Sequence, residues 1–217
     1  MHIHYLGDQN SILNQFILEL RDTEIQKDPM RFRRNIERVG EVLCYELSKT
    51  LKYTIRTVQT PLGTTTMSVP VSPLVLCSVL RAGLPLHHGL LNYFDRAENA
   101  FISAYRHHPG GGDAFEVIVK YFAAPALDGK TLVLTDPMLA TGKTLENVLA
   151  ALKAHGEPSQ IHILSVIGSK KGIAHIREVF PEKTHLWIAA VDDTLSAKGY
   201  IIPGLGDAGD LAFGMKL

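Results

Sequence analysis

The chain has 217 residues, of which 46% are hydrophobic and 20% are charged, the composition of a folded globular protein with one domain. Lys plus Arg and Asp plus Glu number 22 each, so the formal net charge is zero. This balance argues against a protein whose whole surface binds nucleic acid, because such binding needs many cations to displace counterions from phosphates. It leaves room for a local basic pocket that holds a small phosphorylated ligand.

Residues 1–5 lack a basic region followed by an apolar one, so we expect no signal peptide. The longest apolar runs, such as 74–80, are too short to span a bilayer. Cys44 and Cys77 lie in apolar stretches, where buried and reduced thiols are expected. We therefore expect a cytoplasmic protein that does not bind membranes.

Two helices are predicted near the amino terminus. The first carries apolar residues on one face at helical spacing, namely Ile12, Leu13, Phe16, Ile17 and Leu20. The second begins after Asp28 and Pro29, an N-cap residue followed by proline at the first helical position. Its apolar stripe consists of Phe32, Ile36, Val39, Leu43 and Leu47. Four arginines beside this stripe form either a solvated helix face or an interface or phosphate contact: Arg31, Arg33, Arg34 and Arg38.

From residue 74 onward, apolar strands alternate with amphipathic helices. Strands are predicted over 74–80, 100–105, 116–122, 131–135, 161–167 and 186–191. Helices are predicted over 144–154 and 173–180, with a shorter helical stretch after Gly83. This alternation indicates an α/β fold with a mostly parallel sheet flanked by helices on both faces. The second and third strands are expected to pair as a hairpin around the glycines 110–112, and the glycine-rich tail, 199–217, is predicted to be a loop.

The segment 135–144 joins the end of a predicted strand to the start of a helix. Ligands of open parallel sheets bind at such ends, where free N–H groups and the helix dipole favour a phosphate. Asp136 is placed to accept hydrogen bonds from two sugar hydroxyls, while Ala140 and Gly142 allow close approach of the backbone. The composition therefore indicates a site for a phosphate and a sugar.

The end of this segment, Gly142-Lys143-Thr144, is similar to the end of a nucleotide-triphosphate P-loop. That motif needs a glycine five positions before Gly142, and this chain has Pro137 there. Because proline has no N–H to donate, the phosphate-binding loop of a P-loop kinase or NTPase cannot form.

Several segments, in the same order, resemble those of uracil phosphoribosyltransferases. Residues 136–144 match seven of the nine positions of that family's donor loop, D-P-M-L-A-T-G-G-S. Residues 199–210, G-Y-I-I-P-G-L-G-D-A-G-D, match the family's carboxyl-terminal motif at every position. Shorter matches are Phe32-Arg33 with Tyr45-Glu46, the L-R-A-G-L of 80–84, and Tyr105-Arg106. The resemblance covers nearly the whole chain.

The resemblance implies a phosphoribosyltransferase-like single domain, 1–217, with amino-terminal helices (1–50), a β-hairpin arm (100–122) and a carboxyl-terminal, uracil-binding hood (192–217). It implies an enzyme that transfers the ribose 5-phosphate group of 5-phosphoribosyl 1-diphosphate, the donor, to uracil, giving UMP and pyrophosphate. Mg²⁺ is implied as a cofactor held through substrate oxygens and not by protein side chains alone. The implied partners are these two substrates and further copies of the chain, in a homodimer or a larger homo-oligomer. Regulation by GTP, as in some relatives, stays open.

The resemblance also assigns roles to individual residues. It implies that Asp136, Arg81 and Asp207 are catalytic. The donor-binding residues that it implies are Arg81, Arg106, Asp136, Pro137, Met138, Leu139, Ala140, Thr141, Gly142, Lys143, Thr144 and Asp207. The uracil-binding residues that it implies are Ile201, Gly206, Asp207 and Ala208. Within these sets, Arg81 and Arg106 would bind the diphosphate, Asp136 the ribose, and 139–144 the 5-phosphate.

The chain departs from the family pattern at several positions. Lys143 and Thr144 replace glycine and serine of the donor loop, and Leu211 stands where the family usually has Lys or Arg. Residues 85–88, P-L-H-H, replace the common G-M-x-D, and 121–125 lack the usual K-L-P.

Three alternative functions fit the sequence less well. A phosphoribosyltransferase fold retained as a nucleotide-sensing regulator, of RNA for example, should show a concentrated basic face, and this neutral chain offers only the arginine cluster. A purine phosphoribosyltransferase conflicts with Asp136-Pro137 and with the carboxyl-terminal motif. Paired histidines invite a metal site, but none lies at structural-zinc spacing from further ligands, so solvated or packed side chains are expected at His2, His4, His87, His88, His107 and His108.

Overall fold

A computed structural model describes residues 1–107 and 116–216, with side chains described over 1–103 and 121–216. The described α-helices are α1 (Ile12–Arg21), α2 (Pro29–Ser48), α3 (Gly83–Leu91), α4 (Lys143–Leu152), α5 (Lys170–Val179) and α6 (Ala208–Phe213). Short 3₁₀ turns cover Leu6–Asp8, Ile25–Lys27 and Lys153–His155. The described strands are β1 (His2–Tyr5), β2 (Tyr53–Thr60), β3 (Gly63–Pro70), β4 (Leu74–Leu80), β5 (Glu98–His107), β6 (Glu116–Ala123), β7 (Thr131–Thr135), β8 (Met138–Leu139), β9 (Gln160–Ser169), β10 (His185–Asp192), β11 (Thr194–Leu195) and β12 (Ile201–Ile202).

The central sheet has the strand order β1-β10-β9-β7-β4-β5-β6, and the short β8 also pairs with β9. Its described pairs are parallel except for β5 and β6, which run antiparallel at one edge. The predicted mostly parallel sheet is therefore confirmed, as is the pairing of the hairpin arm. The glycines 110–112 of that arm lie outside the described residues.

The helix α2 begins where its sequence predicts. The side chain of Asp28 accepts hydrogen bonds from the N–H groups of Met30 and Arg31, at 2.9 and 3.2 Å, and Pro29 occupies the first turn. All five residues of the predicted apolar stripe are buried at 1% exposure or less. In α1, by contrast, Ile12 is 63% exposed, while Leu13 and Leu20 are buried.

Two apolar clusters lie on opposite faces of the central sheet. One packs α1, α2, α3 and α6 against inward side chains such as Leu76, Val133 and Leu164. The other packs α4 and α5 against the alternate residues of the same strands, such as Val75 and Leu132. Because both faces are covered, the inner strands read as continuous apolar runs and are easy to find in the sequence.

Two glycines set the close packing of α2 on α3. A Cβ atom at Gly89 of α3 would lie 2.3 Å from the carbonyl oxygen of Glu37, and one at Gly40 of α2 would lie 2.7 Å from that of Leu86. Both distances are too short for any side chain. The two helix backbones therefore approach each other at a point that only glycine allows on both sides.

The prediction that 199–217 is a loop was wrong in part. The strand β12 pairs with β11, and α6 forms a short helix. The helix forms because Asp207 accepts hydrogen bonds from the N–H groups of Gly209 and Asp210, at 2.9 and 3.0 Å. Smaller corrections concern α5, which begins at Lys170 and not at 173, and β8, which lies within the predicted loop.

Two strand elements were not anticipated. β1 adds a parallel strand beyond β10. β2 and β3 form an antiparallel hairpin in which nearly every residue is exposed, and Leu62 at its turn is fully exposed.

The cysteines and histidines whose role the sequence left open are mostly structural. Cys44 and Cys77 are free and buried, and burial raises the pKa of each thiol to about 12. The rings of His4 and Trp187 stack with centroids 3.7 Å apart, and Trp187 Nε1 donates to Nδ1 of the buried His162 at 3.0 Å. Among described residues, no group of three or more His, Cys, Asp or Glu side chains could hold a metal ion. No helix in the described part of the chain is both long and apolar enough to cross a membrane.

Candidate active site

Two loops leave neighbouring strands at the carboxyl edge of the sheet. β4 and β7 are paired, and Ser78 lies opposite Thr135 in their register. Arg81 follows β4 directly, and Asp136 follows β7. Adjacent parallel strands place the residues beyond their carboxyl ends side by side, so these two predicted site residues share one edge of the sheet.

The guanidinium of Arg81 is directed towards the carboxyl-terminal segment. Its Nη2 donates to Asp210 Oδ1 at 3.0 Å and to the carbonyl oxygen of Gly214 at 3.1 Å. The side chain of Arg81 is 42% exposed, so these contacts face solvent. The peptide bond between Leu80 and Arg81 is cis.

The loop after β7 is held by hydrogen bonds from residues of β9. Asp136 Oδ1 accepts from the N–H of Met138 at 3.2 Å, and Ser165 Oγ donates to the carbonyl oxygen of Asp136 at 2.7 Å. The N–H groups of Val166 and Ile167 both donate to the carbonyl oxygen of Pro137, at 3.1 and 3.0 Å. These contacts hold the loop backbone and orient the Asp136 carboxylate.

The same loop ends at the amino terminus of α4. Gly142 is the N-cap, with a φ of 81° in the left-handed region. Thr141 Oγ1 accepts from the N–H of Lys143 at 3.4 Å. The first turn of a helix presents N–H groups that have no acceptor inside the helix, and they attract an anion. Lys143 and Thr144 lie in this first turn, as the phosphate assignment requires.

The hood (192–217) is tied to α1 by a buried carboxylate. Asp192, 8% exposed, accepts from Arg21 Nη1 and Nη2, each at 2.9 Å, and from the N–H of Gly204 at 2.9 Å. Gly204 has a φ of 64°, and a Cβ atom there would lie 2.1 Å from the carbonyl oxygen of Ile201. Glycine therefore leaves space at the carbonyl that is expected to read the base.

The last part of the hood carries Asp207 at the start of α6. Its carboxylate caps that helix and also accepts from Lys216 Nζ at 3.1 Å. Burial acts to raise the pKa of Asp207, but the hydrogen bonds from the Asp210 N–H and from Lys216 outweigh it and lower that pKa. Asp207 is therefore ionised at neutral pH.

The structure brings most of the expected site residues to one edge. Asp207 lies near Arg81, because Gly209 is close to both. The N–H of Gly209 donates to Asp207, and a Cβ atom at Gly209 would lie 3.9 Å from Arg81 Nη2. Arg106 lies on β5 opposite Val117, and its side chain is outside the described residues. Ile201 and Ala208 are buried, at 4% and 0% exposure, whereas Gly206 is exposed.

Sequence reasoning missed the partners that hold these residues. Arg21 and Lys216 were not singled out, although each pairs with a carboxylate of the hood. Asp210 lies inside the carboxyl-terminal motif, so the motif itself was a signal for it. A cavity of about 710 Å³ between α1 and the end of β10 is lined by Arg21 among others, and no expected site residue belongs to its lining.

Comparison with known proteins found a family and a solved structure that are similar to this chain. The family model described as uracil phosphoribosyltransferase matches residues 8–215. A uracil phosphoribosyltransferase of Porphyromonas gingivalis is 52% identical over 217 residues, covering 100% of both chains. One from Methanothermobacter thermautotrophicus is 40% identical over 190 residues, 86% of this chain and 85% of its own. The solved structure of the AQ2163 protein from Aquifex aeolicus has a TM-score of 0.87 and 29% identity, and the match covers 99% of each chain.

Proposed function

The chain belongs to the uracil phosphoribosyltransferase family, and we propose that it transfers the ribose 5-phosphate group of 5-phosphoribosyl 1-diphosphate to uracil, giving UMP and pyrophosphate. The observation that carries the proposal is the shared sheet edge. There Arg81 and Asp136 follow paired strands, and Arg81 meets the hood through Asp210. We propose further that 1–217 is one domain that includes the amino-terminal helices, the arm and the hood.

The reaction is a displacement at the anomeric carbon of the donor. The bond from this carbon to N1 of uracil forms, the bond to the diphosphate oxygen breaks, and N1 loses its proton. Glycosyl transfers of this kind pass through an oxocarbenium-like transition state. Uracil N1 is the nucleophile in this proposal, and the protein's part is positioning and electrostatic stabilisation.

Each donor group has a matching feature at this edge. The carboxylate of Asp136, whose orientation is fixed by the Met138 N–H, would accept hydrogen bonds from the ribose hydroxyls. The loop 139–144 and the first turn of α4 would hold the 5-phosphate. Arg81 and Arg106 would bind the diphosphate, for which a planar guanidinium is well suited.

Mg²⁺ fits this site only in company with the donor. No cluster of three or more potential ligands is found among described residues, and the carboxylates near the donor, Asp136 and Asp207, lie on different loops. Mg²⁺ prefers octahedral oxygen ligands and usually keeps substrate oxygens and waters. Bound to the diphosphate, it would neutralise the negative charge of the leaving group.

Uracil would be read by main-chain groups of the hood. The carbonyl of Ile201 and the amides of Gly206, Asp207 and Ala208 are the proposed readers, because they lie in a glycine-rich segment whose backbone can come close to a ligand. Main-chain groups cannot exchange donor for acceptor as a side-chain amide can. Cytosine, with reversed polarity at N3 and C4, would leave buried groups unpaired at about 1–3 kcal/mol each.

The exposed hairpin formed by β2 and β3 supports a homodimer or larger homo-oligomer. A two-stranded hairpin is marginally stable alone in water, and this one exposes Ile55 at 74% and Met67 at 56%. We propose that a second copy of the chain covers it. Light scattering of the purified protein, and of an Ile55→Lys variant, tests this proposal. Regulation by GTP stays open, and a cytoplasmic location stays a prediction from the sequence.

Nothing favours the alternative of a regulator that uses a basic face. The arginine cluster of α2 is engaged within the chain: Arg31 pairs with Glu19 at 2.9 Å, Arg34 with Glu37 at 2.6 Å, and Arg33 donates to the carbonyl oxygen of Ala212 at 2.7 Å. These contacts fit the interpretation as a helix face with structural pairs.

The decisive experiment measures conversion of labelled uracil to UMP with phosphoribosyl diphosphate and Mg²⁺. Arg81→Ala and Asp136→Asn should each lose about 2–4 kcal/mol of transition-state stabilisation while the protein stays folded. Arg177→Ala, which removes an exposed arginine of α5, is the matched control and should behave as the parent does. Near-parental turnover by either site variant would show that its assignment is wrong.

Base choice gives a second, independent test. We expect kcat/KM for cytosine to be about 10⁴-fold below that for uracil, because main-chain recognition cannot adapt. Ile202→Val keeps the backbone in place and should barely change this ratio. Comparable kcat/KM values for the two bases would refute main-chain recognition of uracil.

A further inference from the structure

Four charged side chains form a compact cluster where α6 meets the loop after β4. Asp210 Oδ1 lies 3.0 Å from Arg81 Nη2 and 3.6 Å from Lys216 Nζ. The same Lys216 Nζ lies 3.1 Å from Asp207 Oδ2. Two cations therefore share one carboxylate oxygen of Asp210, and one of them also holds Asp207.

In this arrangement the guanidinium of Arg81 is bound by its own chain. It donates to the Asp210 carboxylate and to the carbonyl oxygen of Gly214. Both contacts are made by Nη2, so a diphosphate that binds at this nitrogen must replace both of them. Asp210 would then lose its nearest cation while it is only 30% exposed, and a carboxylate left without a partner opposes donor binding.

Lys216 is placed to replace Arg81 as the cation that pairs with Asp210. Its ammonium already lies within salt-bridge distance of the same Asp210 oxygen, and a lysine side chain can move its charge along a flexible stem. A short movement would bring it into full contact with Asp210 without leaving the neighbourhood of Asp207. Lys216 is 59% exposed, so little packing resists the movement.

We propose that Lys216 is a positioning residue of the donor site, which takes over Asp210 when Arg81 turns to the diphosphate of the donor. The proposal rests on the proposed function, because it requires the donor to bind at Arg81. It assigns to the carboxyl-terminal segment a part in donor affinity that is separate from its part in recognition of the base.

The test compares Lys216→Gln and Lys216→Arg with the parent. Equilibrium binding of phosphoribosyl diphosphate with Mg²⁺ is measured alongside steady-state kinetics. Lys216→Gln should raise the donor Kd and KM about two- to fivefold, as expected for loss of a partly exposed ion-pair partner, and both should rise more than the uracil KM does. Lys216→Arg should restore the parental values. Lys171→Gln removes an exposed lysine of α5 and is the control for net charge.

A double-mutant cycle with Asp210→Asn isolates the exchange of partners. Asp210→Asn should lower the donor Kd about two- to fivefold, because Arg81 loses its competing carboxylate. In that background the effect of Lys216→Gln should shrink by at least half. An unchanged effect there would mean that Lys216 acts on the donor directly and would overturn the proposal.

Other outcomes separate the remaining possibilities. A parental donor Kd in Lys216→Gln overturns the proposal while UMP formation by the parent leaves the proposed function intact. A lower melting temperature with equal losses in donor and uracil affinity, and no rescue by arginine, would show that Lys216 only anchors the segment. A parent that neither binds the donor nor makes UMP would overturn the proposed function and, with it, this proposal.

Discussion

Replacing Asp192 by asparagine should loosen the hood and weaken uracil binding selectively. Asp192 accepts three hydrogen bonds with two oxygens: two from Arg21 and one from the N–H of Gly204, all at 2.9 Å. Asparagine has the same shape, but its NH₂ group would face an N–H group of Arg21 or of Gly204. Two donors cannot form a hydrogen bond with each other. At least one hydrogen bond is lost, and Arg21 loses its counter-charge while keeping the carbonyl oxygen of Gly204 at 3.1 Å.

The magnitude follows from this count. A hydrogen bond to a charged partner contributes about 1.5–3 kcal/mol, and Arg21 is mostly buried, with 26% of its side chain exposed. We expect the free energy of unfolding to fall by about 2–3 kcal/mol, a drop in melting temperature of about 4–12 °C for a chain of this size. Because Gly204 lies between Ile201 and Gly206, the uracil KM should rise about tenfold, with the donor KM nearly unchanged.

The neighbouring residue provides the control. Asp193 is 73% exposed and pairs with Lys170, so Asp193→Asn removes the same charge at the next position without changing the contacts to Arg21 and Gly204. Thermal unfolding and steady-state kinetics should leave this variant at parental values. A melting temperature and a uracil KM for Asp192→Asn equal to those of the control would refute the claim that the carboxylate holds the hood.

Three further predictions concern single sites. Lys143→Gly should retain kcat within about threefold, because a lysine in the first turn opposes the helix dipole, and a large rise in donor KM would show that Lys143 holds phosphate. Burial, with His185 and His4 nearby, lowers the pKa of His162 from 6.5 to about 3, so His162 destabilises the fold progressively as pH falls below 6.5. The loss should reach about 2 kcal/mol at pH 5 in urea unfolding, and His162→Asn, which keeps an acceptor, should reduce it; an unchanged slope contradicts the assignment. Cys44 and Cys77 should resist iodoacetamide at pH 8 in the folded protein and react after unfolding, and rapid labelling of the folded protein would contradict their burial.

The inner strands and the site loops could be predicted from the sequence for a physical reason. The predicted strands 74–80 and 131–135 agree with the bounds of β4 and β7, because strands covered on both faces consist of apolar residues without interruption. The start of α2 could be predicted because its signal is local in the sequence: the N-cap Asp28 is followed at once by Pro29.

The elements that the sequence did not predict depend on contacts between residues that are distant in the sequence. The helix α6 is six residues long and rich in small residues, and it is stabilised by its cap at Asp207 and by packing of Ala212 in the core. The hairpin of β2 and β3 is exposed on both faces, so no alternation of apolar residues marks it. Arg21 and Asp192 are 171 positions apart, and no local pattern indicates that they meet.

The contact between α2 and α3 makes the site depend on residues that no substrate reaches. α3 begins at Gly83, shortly after Arg81, and its position is set where Gly89 lies against the carbonyl of Glu37. A methyl group at Gly89 would push the helix outward and carry Arg81 with it. In a genetic selection for uracil use, alleles at Gly40 and Gly89 would therefore group with those at Arg81. Selection on this enzyme therefore extends to residues that its ligands do not contact.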